Sequence, residues 1–212
     1  MEKPTKWSGD NAPTPLNPPE VYVPKNSPII YALGALQELS AALGLARAFL
    51  KNPELSALDG MLRETQRHLY ILKCDIASMS NEEIVNGKKI PRPDGSEVRI
   101  IDENISQLEV LMGRKPDRFV LEGGAPEAAA LYLANEVARR AERLFINLPN
   151  TLGDEYANME PKAAVCQQYL NHLSFQLYLM ARVINRRQEL GEETISTDPV
   201  TGVVTVMLGS RQ

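Results

Sequence analysis

Apolar residues that recur at three- and four-residue steps restrict the fold of this chain more than any other feature. The first such stripe follows Pro28 and consists of Ile29, Ile30, Leu33, Leu36, Leu39, Leu43, Ala46 and Leu50. This spacing lines apolar side chains along one face of an α-helix. Together with later stripes it predicts helices over about 28–51, 53–79, 102–112, 126–148 and 160–190. Because each helix must bury its apolar face against another helix, the predicted fold class is all-α, a five-helix bundle.

Proline, glycine and polar capping residues predict where these helices begin and end. Pro53 and Pro126 suit the first turn of a helix, and Asp102 can cap the start of the third one. Gly113 is placed to end that helix, since glycine adopts the left-handed conformation that closes many helices. The Asn86-Gly87 pair predicts a surface loop or small hairpin before the third helix, and irregular backbone is predicted after Gly113.

The two ends of the chain differ in composition from its middle. Residues 1–28 hold seven of the fifteen prolines, which predicts an extended segment because proline removes a backbone donor and disfavours helix in the residue before it. The expected organisation is an extended segment at 1–27 that contributes to the nucleotide site, a helical bundle domain at 28–190 and a C-terminal tail at 191–212. β-Branched residues in the tail suit a small hairpin, and a disordered tail is the alternative.

Charge and cysteine content exclude several classes of protein. The net charge of −4, with acidic and basic residues interleaved, gives no basic surface for nucleic acid. Cys74 and Cys166 lie far apart in apolar helical stretches, which favours structural thiols over a disulfide or a metal site. No stretch approaches the roughly 18 apolar residues of a membrane helix, and the first residues lack an apolar signal region. A soluble, cytoplasmic protein without a membrane partner is expected.

A scan for catalytic motifs is mostly negative. The sequence has no G-x-x-x-x-G-K-[ST], G-x-G-x-x-G, H-E-x-x-H or G-x-S-x-G motif, which argues against ordinary ATPases and proteases. The two histidines, His68 and His172, lie on different predicted helices, and surface or capping roles are favoured over a metal site.

The densest polar feature is the run from Arg139 to Arg143, RRAER, inside an otherwise apolar helix. Arg139, Glu142 and Arg143 share a helix face because residues three and four apart are neighbours. Two guanidiniums oriented by one carboxylate can bind an oligophosphate. The alternative is a solvated ion-pair network, which spacing alone favours.

Two further features have both a functional and a structural interpretation. Phe119 and the Gly123-Gly124 pair precede the fourth helix, where paired glycines allow close approach to a ligand or simply make a turn. The structural interpretation is a core phenylalanine followed by that turn. Asn171 stands among apolar neighbours in the fifth helix, where a buried amide would need hydrogen-bond partners from another helix.

Taken in order, the motifs resemble the propanediol-utilisation type of ATP:cob(I)alamin adenosyltransferase over about residues 8–185. The family reads T-G-D-K-G-x-T, V-S-K-D-D-P and Y-G-x-x-D-E-L-N-x-x-L-G where this chain has SGDNAPT, VPKNSP and LGALQELSAALG. Its I-Q-x-x-L-F-x-L-G-A-D-L-A, F-[IV]-L-P-G-G, R-R-A-E-R and N-R-L-S-D are matched by TQRHLYILKCDIA, FVLEGG, RRAER and NHLSF. The specificity of the match lies in the order and spacing of these motifs.

The resemblance implies a homotrimer of five-helix bundles with active sites between subunits. It implies transfer of the 5′-deoxyadenosyl group of ATP to Co(I) of cobalamin, with Mg²⁺ accompanying ATP and with a cobalamin reductase or a cobalamin-dependent enzyme as protein partner. It places Phe119 at the lower face of the corrin and makes Phe119 and Arg139 the catalytic residues. The residues that the resemblance assigns to ATP are Ser8, Gly9, Asp10, Lys25, Arg139, Arg140, Glu142, Arg143 and Asn171.

Departures from the family pattern keep a second function open. The family's lysine, glycine and following residue in the first motif are Asn11, Ala12 and Pro13, so a cation, a permissive backbone position and an N–H donor are absent. The family's inter-subunit Asp–Arg pair is replaced by Gln37 and Asn135, which could form a neutral pair at the cobalamin-side interface. A weakened or inactive corrinoid-binding carrier on the same fold is therefore the alternative to the enzyme, and a structural or regulatory bundle is the third hypothesis.

Overall fold

The computed structural model describes residues 13–16, 22–78, 84–85, 87–113, 119–149 and 160–208. The helices are α1 Pro28–Phe49, α2 Ser56–Ser78, α3 Ser96–Met112, α4 Pro126–Ile146 and α5 Glu160–Arg187. A 3-10 turn, Pro53–Leu55, joins α1 to α2. The predicted all-α bundle of five helices is confirmed.

Contacts between helices give the arrangement of the bundle. α1 packs against α2 and α4, and α5 packs against α4 and α3. Arg47 in α1 bonds Asp59 near the start of α2, and Ser40 bonds Gln66 farther along, so α1 and α2 run antiparallel. Arg187 near the end of α5 reaches Glu54, just before α2, so α2 and α5 are also antiparallel.

α4 runs antiparallel to α5 as well, because Ala125 at its start contacts Asn185 near the end of α5. Hence α1 and α5 point in the same direction and α4 points in the opposite one. The residues that precede α1, including Lys25, therefore lie toward the end of the bundle at which α4 finishes. Phe119, which precedes α4, lies toward the opposite end.

The core is formed by the apolar stripes that the sequence predicted. Leu36, Leu39 and Leu43 of α1 are almost fully buried, as are Leu69 and Leu72 of α2. Burying one such side chain contributes about 1.5–3 kcal/mol relative to leaving it exposed.

α1 corrects the expectation that no stretch is long and apolar enough for a membrane helix. Its 22 residues include an 18-residue window of mean hydropathy 1.5. In the structure, one side of α1 packs into the bundle core, with Ile29, Leu36 and Leu43 buried. The high hydropathy of α1 is therefore explained by its position in the core of the bundle.

The third helix begins earlier than predicted. The helix starts at Ser96, directly after Gly95 in the left-handed conformation, and Asp102 lies inside the helix instead of capping it. The Asp94 carboxylate accepts a hydrogen bond from the Ser96 N–H at 2.9 Å, and Glu97 accepts one from the Asp94 N–H at 3.2 Å. This reciprocal arrangement works like a capping box and satisfies N–H groups at the helix start.

In the described part of the chain, three small antiparallel sheets accompany the helices. β1 (Thr14–Pro15) pairs with β2 (Tyr22–Val23), and β3 (Ile84–Val85) pairs with β4 (Lys88–Lys89) around the predicted turn at Gly87. The third sheet has the strand order β5 (Phe119–Val120), β6 (Glu193–Thr197) and β7 (Val204–Leu208). Of the two interpretations of the tail, the hairpin is the one observed.

The hairpin also corrects the prediction of irregular backbone after Gly113. Phe119 pairs with Ile195 and Val120 with Thr194, and Ile195 pairs in turn with Val206. Phe119 and Val120 become a strand because β6, in the distant tail, supplies their hydrogen-bond partners.

The cysteines are free thiols, as predicted. Cys166 is completely buried and Cys74 is partly buried. Burial raises the pKa of the Cys166 thiol above its usual value because the thiolate would lose its hydration.

Candidate functional site

The arginine run of α4 faces solvent. Arg139, Arg140 and Arg143 are exposed and Glu142 is half-buried. Arg139 lies 3.8 Å from the Glu136 carboxylate, and Arg140 forms an ion pair with Glu38 of α1. Among the ion pairs of the described residues, the carboxylates that contact these arginines are Glu136 and Glu38, whereas the sequence suggested Glu142.

Asn171 lies level with Arg139 on the neighbouring helix. Ala125 at the start of α4 contacts Asn185 of α5. Seven residues after Ala125, the ring of Tyr132 lies 6.2 Å from the ring of Tyr178, which is seven residues before Asn185. Seven residues are nearly two helical turns, so a further step of seven on each helix brings Arg139 opposite Asn171. Asn171 is exposed, which corrects the expectation of a buried amide. Its position leaves the side chain accessible to a ligand beside the arginines.

Phe119 is also exposed, with 83% of its surface accessible, and this excludes the core interpretation of this side chain. The next residue, Val120, points into the core and is buried. Strand alternation accounts for this difference, since successive side chains point to opposite faces of the sheet. An apolar ring held outward on a strand is suited to contacting an apolar ligand surface.

The glycine turn after Phe119 is held by Asn185 of α5. The Asn185 carboxamide accepts a hydrogen bond from the Ala125 N–H at 3.0 Å and donates one to the Gly123 carbonyl, also at 3.0 Å. Gly124 has φ of +96°, and a Cβ there would lie 2.2 Å from the Asn185 Oδ1. The second glycine is therefore required by both its backbone conformation and this close contact.

A buried polar cluster lies behind the sheet that carries Phe119. Arg182 of α5 is only 2% exposed and donates three hydrogen bonds of 2.7–3.1 Å to the Glu192 carboxylate. It donates a fourth to the Tyr178 hydroxyl at 3.2 Å, and its guanidinium lies 5.6 Å from the centre of that ring. Burial raises the pKa of the neighbouring Tyr132, and the Glu192 charge adds to the effect, so this hydroxyl stays protonated.

The motifs in the sequence did not predict roles for Arg182, Asn185 and Glu192. A signal for Arg182 was present, since it interrupts the apolar run LYLMARVI in α5, and a charge on a buried helix face needs a partner. The identity of the partner could not be read in the same way, because Glu192 lies in the tail beyond the helix.

Gln37 and Asn135 are not paired within the chain. The Glu38–Arg140 contact places Gln37 opposite Ala141, six residues or about 9 Å along the axis from Asn135. Gln37 accepts a hydrogen bond from Lys73, and the Asn135 amide nitrogen lies 3.5 Å from the Glu136 carboxylate. The Asn135 Oδ1 is buried and has no hydrogen-bond partner in the part of the chain that the structure describes.

The remaining predicted residues are near the N-terminus. Lys25 is exposed in the turn just before α1. Pro13 is described and exposed, whereas Ser8, Gly9, Asp10, Asn11 and Ala12 lie outside the described residues.

Both histidines have protein partners. The His68 Nδ1 lies 3.1 Å from the Tyr169 hydroxyl inside the core, so the surface or capping role predicted for His68 is wrong. The His172 Nδ1 lies 2.7 Å from the Asp102 carboxylate at the surface. Within the described ranges, no group of three or more His, Cys, Asp or Glu side chains is placed to hold a metal ion.

The two parts of the candidate site are far apart within one chain. Arg139 lies thirteen residues after Pro126, which is about 20 Å along α4 at 1.5 Å per residue. Phe119 precedes Pro126 and so lies beyond that end. Oligophosphate binding by the arginines and apolar contact by Phe119 thus occur at different levels of the bundle.

Comparison with known proteins identifies the family. Residues 5–184 match the family model described as cobalamin adenosyltransferase. The corrinoid adenosyltransferase PduO of Citrobacter freundii is 33% identical over 166 residues, which make up 76% of this chain and 43% of that protein. The corrinoid adenosyltransferase of Mycobacterium leprae is 30% identical over 188 residues, 84% of this chain and 88% of that protein. The chain thus spans less than half of PduO and most of the mycobacterial protein.

Solved structures agree on the fold. A variant PduO-type ATP:corrinoid adenosyltransferase from Lactobacillus reuteri, complexed with cobalamin and ATP, superposes with a TM-score of 0.74 at 23% identity, over 91% of this chain and 97% of that one. A second variant of the same enzyme, complexed with ATP, gives 0.71 at 24% identity over 88% and 96%. Given the family-model match over most of its length and these curated relatives, the chain belongs to the cobalamin adenosyltransferase family.

Proposed function

We propose that this protein is an ATP:cob(I)alamin adenosyltransferase. In the reaction, Co(I) supplies the electron pair of the new bond to the 5′ carbon of ATP, the bond from that carbon to its phosphate oxygen breaks, and triphosphate leaves with the bonding pair. The observation that carries the proposal is that Arg139, Arg143 and Asn171, from two separate motifs, lie on adjacent helices, with Asn171 level with Arg139, and are all exposed.

The arginines would bind the phosphates. Charge-assisted hydrogen bonds from guanidinium to phosphate oxygen are strong, and they stabilise the charge that accumulates on the departing triphosphate. Arg139 is only loosely held by Glu136 at 3.8 Å, so it can turn toward a ligand at small cost. Lys25 lies toward the same end of the bundle and would add a further cation, and Ser8, Gly9 and Asp10 complete the proposed ATP contacts.

Mg²⁺ would enter with ATP. Since no cluster of metal-binding side chains occurs in the described residues, phosphate oxygens would supply the main ligands, as is usual for Mg²⁺ at nucleotide sites.

Phe119 would contact the corrinoid. An exposed aromatic ring placed against the lower face of the corrin excludes water and disfavours a lower ligand on cobalt, which makes reduction to Co(I) easier. The ring acts by occupying space, so a smaller apolar side chain should lose the effect without a charge change.

A site shared between subunits would account for the separation of Phe119 from the arginines along α4. We propose a homotrimer in which Phe119 and the arginines that serve one reaction come from different chains, with Gln37 and Asn135 near the contact. The offset of about 9 Å between these two amides within the chain supports a pairing across subunits. Light scattering should then give a mass of roughly 70 kDa, three times the 23.5 kDa chain, and a monomer would contradict the proposal.

Mixing two variants of low activity tests the shared site. Phe119→Ala and Arg139→Ala proteins, unfolded and refolded together, should regain activity in mixed trimers because some interfaces then carry both native residues. The two variants refolded separately are the controls. Activity no higher in the mixture would place both residues in one chain.

The catalytic proposal is tested by anaerobic incubation with chemically reduced cobalamin and Mg-ATP, following loss of Co(I) absorbance and formation of adenosylcobalamin. Arg139→Ala should lower kcat/KM by about 10²–10³-fold, because it removes a charge that contacts the leaving group. Arg99→Ala is the matched control, since Arg99 is an exposed arginine of α3 paired with Glu103. An unchanged rate for Arg139→Ala would refute the assignment.

A corrinoid-binding carrier is the second candidate. It is favoured by the ion pair between Arg140 and Glu38, because one guanidinium is already occupied. It is also favoured by Pro13, because proline lacks an N–H donor for phosphate. Corrinoid binding without turnover would support the carrier. A cytoplasmic location and a reductase or cobalamin-dependent partner belong to the same proposal.

A further inference from the structure

Phe119 depends on its backbone for its position. Its side chain is 83% exposed and lies outside the core, so packing does not fix the ring. β5 consists of two residues, and the structural neighbours that hold it are the buried Val120, the Asn185-bound turn and strand β6.

The hydrogen bonds to β6 set the lateral position of β5. The Leu121 N–H donates to the Glu193 carbonyl at 2.9 Å. Phe119 faces Ile195, and in an antiparallel pair residues two apart repeat the same bonding pattern, so Phe119 and Ile195 exchange backbone hydrogen bonds. Any displacement of β6 is therefore transmitted to Phe119.

The side chain that precedes β6 joins this strand to the bundle. Glu192 comes directly before the residue that bonds Leu121, and its carboxylate accepts three hydrogen bonds from Arg182. Arg182 is 2% exposed and belongs to α5, the longest helix of the bundle. A buried guanidinium without its carboxylate is strongly unfavourable, so the contact is difficult to break.

We propose that the Arg182–Glu192 ion pair is the positioning device for Phe119, acting through the pairing of β6 with β5. Neither residue touches the reacting atoms in this proposal. The connection runs from the core helix to the tail, from the tail to β5, and from β5 to the ring that contacts the corrinoid. The inference rests on the proposed function, because it assigns Phe119 to the corrinoid.

The test compares Glu192→Gln, Phe119→Ala and the double variant in the full-length protein. Glu192→Gln should lower kcat by about 10- to 100-fold, the usual effect of a displacement near 1 Å, and leave ATP affinity by calorimetry within twofold. It should also shift the absorption and EPR spectra of cob(II)alamin bound with ATP in the same direction as Phe119→Ala does. Glu189→Gln, the same change at an exposed residue of the preceding turn, is the matched control.

The double variant distinguishes positioning from general stability. If Glu192 acts through Phe119, adding Glu192→Gln to Phe119→Ala costs no further activity, whereas independent effects would add. Additive losses, or an equal loss of ATP affinity, would overturn the inference. If Phe119→Ala itself matches the wild type, the corrinoid role of Phe119 fails instead.

A second variant covers the case in which Glu192→Gln does not fold. Ile195→Pro keeps the ion pair but removes the N–H that β6 donates to Phe119. It should give the same kinetic and spectroscopic defect, and a wild-type spectrum for this variant would also overturn the inference.

Discussion

Replacing Gly124 by alanine should destabilise the protein far more than the same change at its neighbour. At φ of +96° an alanine is strained, which costs about 1–2 kcal/mol. The new Cβ would lie 2.2 Å from the Asn185 Oδ1, so the Asn185 side chain must move away.

Moving Asn185 breaks two hydrogen bonds of 3.0 Å, those with the Ala125 N–H and the Gly123 carbonyl. Each is worth about 1 kcal/mol, and leaving the buried N–H unpaired adds to the cost. The expected loss of unfolding free energy is about 3–5 kcal/mol, or roughly 6–20 °C in Tm for a chain of this size.

Denaturant titration followed by circular dichroism measures this loss. Gly123→Ala is the matched control, because a Cβ at Gly123 meets no atom within 4 Å and its φ is not in the left-handed region; it should cost below about 1 kcal/mol. Equal losses for the two variants would refute the role given to Asn185. A Gly124→Ala, Asn185→Ala double variant should recover part of the strain, since the clashing oxygen is gone.

Three further predictions concern the core. Burial lowers the pKa of His68 below its usual 6.5, so the unfolded chain takes up a proton first as the pH falls. The stability that depends on neutral His68 is therefore complete above about pH 6.5 and decreases below it. The fall in Tm from pH 7.5 to 5.5 should be smaller in His68→Gln, and an unchanged fall would count against this explanation. A thiol reagent should modify Cys74 in the native protein and Cys166 only after unfolding, because Cys166 is buried and its pKa is raised; equal rates would be inconsistent with the packing. Leu39→Ala, at a fully buried position, should cost about 2–5 kcal/mol in denaturant titration, whereas Leu45→Ala on the exposed side of α1 should cost little, and similar losses would show that the buried face is misassigned.

The sequence predicted the helices well because their signals are local. The apolar stripe after Pro28 and the glycine at 113 each act within a few residues, and α1 begins at Pro28 while α3 ends before Gly113. The start of α3 was mispredicted because Asp94 and Glu97 form a cap across the turn, and periodicity does not detect this.

The site was predicted less completely, since its supports are not local. The exposure of Asn171 and Phe119 could not be read from apolar neighbours in sequence, because alternation on a strand and the face of a helix depend on what packs there. Arg182 and Glu192 are ten positions apart, yet their contact needs the tail to fold back onto α5. Such contacts follow from the tertiary arrangement and not from a motif.

The pairing of Phe119 with Ile195 also imposes an order on the co-translational folding of this protein. The hairpin strands follow α5 in the sequence, so on the ribosome the five helices emerge, and can dock, before β6 is available. At that stage Arg139 and Asn171 already have their neighbours, whereas β5 still lacks its partner strand. A nascent chain would therefore complete the surface beside α4 and α5 first. The pairing of β5 with β6, which positions Phe119, would form last.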